Sequence, residues 1–435
     1  MISPPLLSEY DPEMLSEGSL DPLGLYLIAD RLATRLIPGF RERMRHPRFL
    51  TGIAVGSHVC STFDEDEIAS DDMSPPYQVY EWHVVQALVS RFKETDETIG
   101  LPGVSKAIEA YRAKVPLTAT RYLKTPSVFG FHGVYRTLAR DLDLITEYSL
   151  GEFGDRLIRS WEKEQNLEGF YTGHSGDGKK LLNNLRSAVR EGLKTGSAVK
   201  GWWWGQNKVI AEHLAPYRIG KKEGKMLLEG FLSDKHSLRK EVINYLLTSE
   251  GMSNWNSNNS EREFHESLYK KGSGEMKDIL ATIQLYEQFA RLLQNAFDES
   301  LYIMSGARHV YINDLSMQDH ITKASTELPG LFRLVSNKLS SFDLSFQFEK
   351  SFGLFNEVMK STAWMEILIE HHNNIQRSKS RIGKSPWFER TDNGRLLIYP
   401  GHVRSEGPAT DKEYVHFYRT NSLWSFLRDM KLVTK

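Results

Sequence analysis

The sequence predicts a mainly α, multi-domain protein carrying a winged helix-turn-helix-like module and a small C-terminal α+β element. Three observations predict this. Apolar residues recur at three- and four-residue spacing through most of positions 151–345, the pattern of helices that bury one face. β-prone stretches are short and few, notably Leu144 to Tyr148 and Arg395 to Tyr399. A chain of 435 residues is also long enough to bury several cores. The expected divisions are 1–73 (an arm and a basic helix), 74–150 (the winged-helix-like domain), 151–345 (a helical domain) and 346–435 (a long helix, a β-hairpin and a closing helix).

Asp21-Pro22 opens the first helix, with Asp21 as N-cap and Pro22 at the first helical position. Leu25, Ile28, Leu32 and Leu36 form its apolar stripe, and Pro38-Gly39 ends it. Six arginines (Arg31, Arg35, Arg41, Arg43, Arg45, Arg48) and His46 then crowd positions 31–48 against only Asp30 and Glu42. Arg41, Arg43 and Arg45 alternate, so an extended segment would aim all three one way. Such a cluster serves either as a solvated or salt-bridged surface or as a contact for phosphate or an acidic partner. The acidic run 63–72 reads as a solvated loop, because its consecutive carboxylates cannot converge on one metal ion without a turn.

Tyr77 to Phe92 and Val104 to Ala113 are predicted helices. After them, RYLKTPSVFGFHGVYRTLARDLDLITEY (121–148) places a turn before a short helix with Val134, Leu138 and Leu142 inside, followed by a β-prone piece. A winged helix-turn-helix presents its recognition helix in this way. Arg121, Lys124, Arg136 and Arg140 are spaced along it as a phosphate-facing surface requires. Further helices are expected over Glu152 to Gln165, Leu181 to Leu193, Lys208 to Leu214, Gly220 to Leu232, Leu238 to Thr248, Met276 to Phe297 and Leu328 to Leu339. A polar loop is expected over Gly251 to Ser260, one long helix over Phe352 to Ser378, and a closing helix over Asn421 to Lys431. Asp392-Asn393-Gly394 before Arg395 to Tyr399 is a hairpin signal. Trp202, Trp203 and Trp204 are consecutive and cannot share one helix face, so at least one should be partly exposed.

Composition narrows the chemistry. A net charge of −1 gives no global pull towards nucleic acid or anionic membrane, so any such binding rests on local patches. The single cysteine, Cys60, excludes an intramolecular disulfide and cysteine-built zinc sites, and suits a reducing compartment. With no basic-then-apolar leader and no bilayer-length apolar run, a soluble, cytoplasmic protein without a membrane partner is expected.

Gly173 to Lys180 has the G-x-x-x-x-G-K spacing of a phosphate loop. Lys180 stands where a Mg²⁺-binding hydroxyl is required, and no buried strand precedes it, so a glycine-rich helix cap is the better reading. Glu223-Gly224-Lys225 lacks the partner aspartate of a nuclease motif. The most site-like constellation is C-terminal: His372, Gln376 and Lys379 share one helix face, with Lys384 and Trp387 close behind. It suits acid–base work, or a phosphate-contacting surface with Trp387 for stacking, or structural salt bridges.

The segments at 20–50 (LDPLGLYLIADRLATRLIPGF..R.R..RFL), at 100–142 and at 372–389 (H..IQ..K...GKSPWFE) resemble an uncharacterised bacterial family encoded in antiviral-defence gene neighbourhoods. The resemblance spans about a quarter of the chain and implies a setting, defence against phage or plasmid DNA, with other defence-system proteins as partners. It implies no reaction. The expectation is therefore a DNA- or other nucleic-acid-binding subunit without catalysis or cofactor. Its contacts would be Arg41, Arg43, Arg45, Arg121, Lys124, Arg136, Arg140, Lys379, Lys384 and Trp387. Two alternatives stay open: a metal-dependent nuclease or nucleotide-processing enzyme with a dispersed site, and a helical scaffold for protein partners.

Overall fold

A computed structural model describes residues 21–64, 66–93, 95, 98–123, 126–146, 149–258, 260–379 and 383–434. The described chain is mainly helical. In order it forms α1 (Tyr26–Leu36), α2 (Arg48–Cys60), α3 (Pro76–Phe92), α4 (Val104–Ala113), α5 (Pro126–Phe129), α6 (Phe131–Asp141) and α7 (Glu152–Glu164). There follow α8 (Asp177–Thr195), α9 (Gly205–Leu214), α10 (Lys221–Phe231), α11 (Ser237–Leu246), α12 (Ser249–Asn258) and α13 (Glu261–Lys271). The remainder is α14 (Gly274–Gly306), α15 (Ile312–Ser316), α16 (Asp319–Ser340), α17 (Ser345–Phe352), α18 (Ser361–Ser378), strands β1 (Phe388–Arg390) and β2 (Leu396–Ile398), and α19 (Thr420–Asp429). None of the described helices is long and apolar enough to cross a membrane.

These elements form two compact units. One comprises the described residues of 37–252 with 419–434; the other comprises those of 21–36 with 253–418.

In the first unit α3 is the central helix, packed by α2, α4, α6, α8 and α9. Val79, Trp82, Val85, Ala87, Leu88 and Val89 are fully covered, and so are the polar Glu81, His83 and Gln86 on its other faces. A helix covered all round lacks the one-sided pattern from which helices are read. Helix α2 is covered as well and is apolar on nearly every side, so no polar face marks it in the sequence. Phe49, Leu50, Ile53, Ala54, Val55 and Val59 are all buried there, and a Cβ on Gly56 would lie 2.5 Å from the Tyr80 ring.

In the second unit α14 and α16 make the main packing pair. Phe289, Phe332, Phe348 and Phe352 interlock between α14, α16 and α17 with ring centroids 5.0–6.5 Å apart. The predicted hairpin is present: β1 pairs antiparallel with β2, Phe388 opposite Ile398, and Gly394 takes φ +82° in the turn.

Three expectations are corrected. The first helix starts at Tyr26, not Pro22, because Gly24 leaves helical geometry at φ +73°; its Cβ position lies 2.7 Å from the Ile375 side chain. Asp21 still receives the Leu25 and Tyr26 amides at 3.0 and 2.9 Å. The stretch read as a polar loop from Gly251 is helical over Ser249–Asn258, with Trp255 buried against Phe264 as its anchor. The single long helix from Phe352 is two, since α17 ends at Phe352 and α18 begins at Ser361. Phe355, in the 3₁₀ turn between them, still points inward against Trp364 and His371, so the apolar spacing ran unbroken through a break in the backbone.

Candidate nucleic-acid interface

Helix α6 owes its position to a buried carboxylate. Gly130 precedes it, and a Cβ there would stand 2.4 Å from Glu81 Oε1, so only glycine admits the Glu81 side chain to the N-terminus of α6. Glu81 Oε2 accepts the His132 amide at 3.4 Å, and Oε1 accepts the Tyr122 hydroxyl at 2.6 Å. Burial pushes the Glu81 carboxyl up to about 7, against the Tyr122 hydroxyl and the Phe131 and His132 amides, which favour its charged form. Phe131, Val134, Tyr135 and Leu138 bury the inner face of the helix. His132, Arg136 and Arg140 share another face at four-residue spacing. His132 stacks on Tyr77 at 4.5 Å; burial, then Arg136 and Arg140, lower its imidazole to about 3.

The arginine segment 41–45 meets this helix from the side. Arg41 Nη2 lies 3.4 Å from Thr137 Oγ1, and the Arg43 guanidinium sits 4.6 Å over the Phe129 ring. The Arg45 and His46 amides both donate to the Tyr135 hydroxyl, at 3.0 and 3.3 Å. Two basic stretches about ninety residues apart in sequence therefore converge on α6. Arg43 and Arg140 are exposed, and Arg41, Arg45 and Arg136 are half-buried. Asp141, at the end of α6, does not oppose this charge: its carboxylate meets His236 Nε2 at 2.6 Å, Arg239 Nη1 at 2.8 Å and Lys235 Nζ at 3.0 Å. Burial alone would raise Asp141, but those hydrogen bonds bring it down to about 2. No sequence pattern marks this cluster, because its members lie almost a hundred residues apart.

The other predicted residues divide. Arg121 is exposed in the 3₁₀ turn Ala119–Arg121. Lys124 lies outside the described residues. Arg48 left the basic cluster for the core: its Nη1 donates to Glu223 Oε2 at 2.7 Å, and Thr51 donates to Oε1 at 2.6 Å. Burial lowers Arg48 and raises Glu223, each opposed by its partner's charge. The glutamate of the incomplete Glu-x-Lys match is thus half of a buried ion pair.

The C-terminal face turns inward, which corrects the expectation of a phosphate surface there. His371 Nε2 donates to the Leu23 carbonyl at 2.7 Å, His372 Nδ1 to the Pro22 carbonyl at 2.9 Å, and Lys379 Nζ to the Asp21 carbonyl. His372 Nε2 accepts the Trp387 amide at 3.0 Å. Helix α18 and Lys379 just beyond its end so clasp three successive backbone carbonyls. Burial lowers Lys379 and brings His372 down to about 4. Lys384 is half-buried, its amide on the Gln376 carbonyl at 2.9 Å; Trp387 gives one ring face to His402 at 4.4 Å.

One further sequence feature is structural. Glycines of the loop resembling a phosphate site are needed for packing: a Cβ on Gly178 would stand 1.8 Å from the Leu167 carbonyl oxygen. Glu287 binds His416 Nδ1 and the Tyr418 hydroxyl, each at 2.7 Å, and so straps the segment before the last helix. Among the described residues there is no group of three or more His, Cys, Asp or Glu able to hold a metal ion. No family model, curated protein or solved structure matches the chain.

Proposed function

We propose that this protein is a non-catalytic nucleic-acid-binding subunit of a prokaryotic antiviral (anti-phage or anti-plasmid) defence system. It grips the phosphate backbone with the surface around α6, read as the presenting helix of a winged-helix-like module. The observation that carries the reading is the convergence of Arg41 and Arg43 on the flank of the helix that bears Arg136 and Arg140. In a protein of net charge −1, four guanidinium groups around one short helix make a local field that the total charge does not reveal. Arginine forks suit phosphate oxygens, and a helix held at its N-terminus by Glu81 and along its side by Tyr135 presents them on a rigid support. The defence setting and the partner proteins come from the resemblance of the segments at 20–50, 100–142 and 372–389.

The test is direct titration of labelled duplex and single-stranded oligonucleotides with the full chain at low ionic strength. Saturable binding that weakens with salt is expected. Absence of binding to either, or binding indifferent to salt, refutes the reading.

A further inference from the structure

We infer that Trp203 is a stacking platform for an unpaired nucleobase, so that the nucleic acid is held partly as a single strand; this rests on the function proposed above. The three consecutive tryptophans have divergent fates. Trp202 is buried, donates from Nε1 to the Val115 carbonyl at 2.7 Å, and meets the Tyr111 ring edge-on at 5.3 Å. Trp204 packs against His83 at 5.8 Å. Trp203, between them, is 77% exposed.

The backbone leaves Trp203 little choice. Gly201 takes φ +69°, and its carbonyl accepts Gln86 Nε2 at 2.6 Å and Asn207 Nδ2 at 3.1 Å. The same Asn207 amide group donates to the Trp202 carbonyl at 2.8 Å, and the Asn207 backbone amide to the Trp204 carbonyl at 2.9 Å. Buried polar groups thus tie the turn on both sides of the exposed ring. Burying an indole this large would have been favourable, yet the turn is anchored so that it stays in solvent. Its ring leans on Tyr111 at 5.9 Å and 51°, which restricts its rotation.

Exposed cations lie close in sequence to Trp203 and to its ring neighbour Tyr111. Arg112 and Lys114 are exposed at the end of the helix that carries Tyr111, and Lys208 is exposed on the helix that follows the turn. Lys200 precedes the turn, bonded to Glu191 at 2.7 Å. An exposed aromatic ring with exposed cations on the segments next to it in sequence is the combination by which sequence-tolerant single-strand binders hold a base and its phosphates. Within residues 197–210 Val199 is the one other exposed large hydrophobic, so the segment offers no broad apolar border for a protein contact.

The experiment compares the full-length wild type with W203A and W203F, using labelled oligothymidylate and a blunt duplex of equal length. W203A should weaken oligothymidylate binding by about five- to a hundredfold. W203F should restore most of the affinity, and duplex binding should change less than about twofold. Oligothymidylate should quench tryptophan emission in the wild type and quench it less in W203A. Circular dichroism checks the fold, and an exposed ring should be dispensable to it. Unaltered oligothymidylate affinity in W203A, while R136E/R140E loses binding, overturns the stacking role and leaves the proposed function standing. An equal loss on duplex and single strand also overturns it. Failure of the wild type to bind any oligonucleotide removes both.

Discussion

Replacing Arg136 and Arg140 by glutamine should roughly halve the salt dependence of duplex binding. The arrangement offers four arginines around α6: Arg41 and Arg43 from the loop before α2, Arg136 and Arg140 from the helix itself. If each neutralises one phosphate, the logarithm of affinity falls with the logarithm of salt at a slope of about −3.6. A fourfold rise in salt then costs ~150-fold in affinity; with two arginines gone the slope becomes about −1.8 and the same rise costs ~12-fold. Fluorescence anisotropy across that salt range measures both slopes. Arg140 is exposed, so its replacement should leave stability within about 0.5 kcal/mol. A double variant that still binds with the wild-type slope refutes the assignment of these side chains to phosphate.

The remaining predictions concern the scaffold. His372 is held at about 4, below its ordinary 6.5, so its neutral form is what the fold requires. Its contribution is fully present above the unfolded value and is lost as pH falls towards the folded one. His372→Asn should therefore flatten the acid limb of the urea-unfolding free energy by roughly 3 kcal/mol between about pH 7 and pH 4. Gly178→Ala should destabilise by about 1–3 kcal/mol or more, since its methyl would overlap the Leu167 carbonyl. Lys179→Ala and Lys180→Ala should leave both stability and nucleotide affinity unchanged, because Lys180 is surface-exposed and paired locally with Asp177. Arg48→Ala should cost about 3–5 kcal/mol by chemical denaturation, as it strands the Glu223 carboxylate in the core.

Much of the helical content was legible because amphipathic helices write their buried face into the chain. The stripe Leu25, Ile28, Leu32, Leu36 is buried throughout, and so are Val134, Leu138 and Leu142. Legibility failed where that contrast is missing. Helix α2 is apolar on nearly every side, α12 is almost wholly polar, and Phe355 preserves spacing through a backbone break. The candidate interface was half legible: Arg41, Arg43, Arg136 and Arg140 could be named, but not their meeting.

By itself, then, the sequence determined the mainly α class, the hairpin at Asp392-Asn393-Gly394 and the presence of local basic stretches. Each depends on neighbours within a turn or two of chain. Tertiary structure alone decided which charged side chains face water. Arg48 and Lys379 read as surface cations, yet Glu223 and the Asp21 carbonyl draw them inward from 175 and 358 residues away. A charged group is buried only where a distant partner compensates its lost hydration, and such pairings leave no periodic trace in the sequence. The same holds in reverse for Trp203, which hydrophobicity would bury and which a turn tied by Gln86 and Asn207 keeps in solvent.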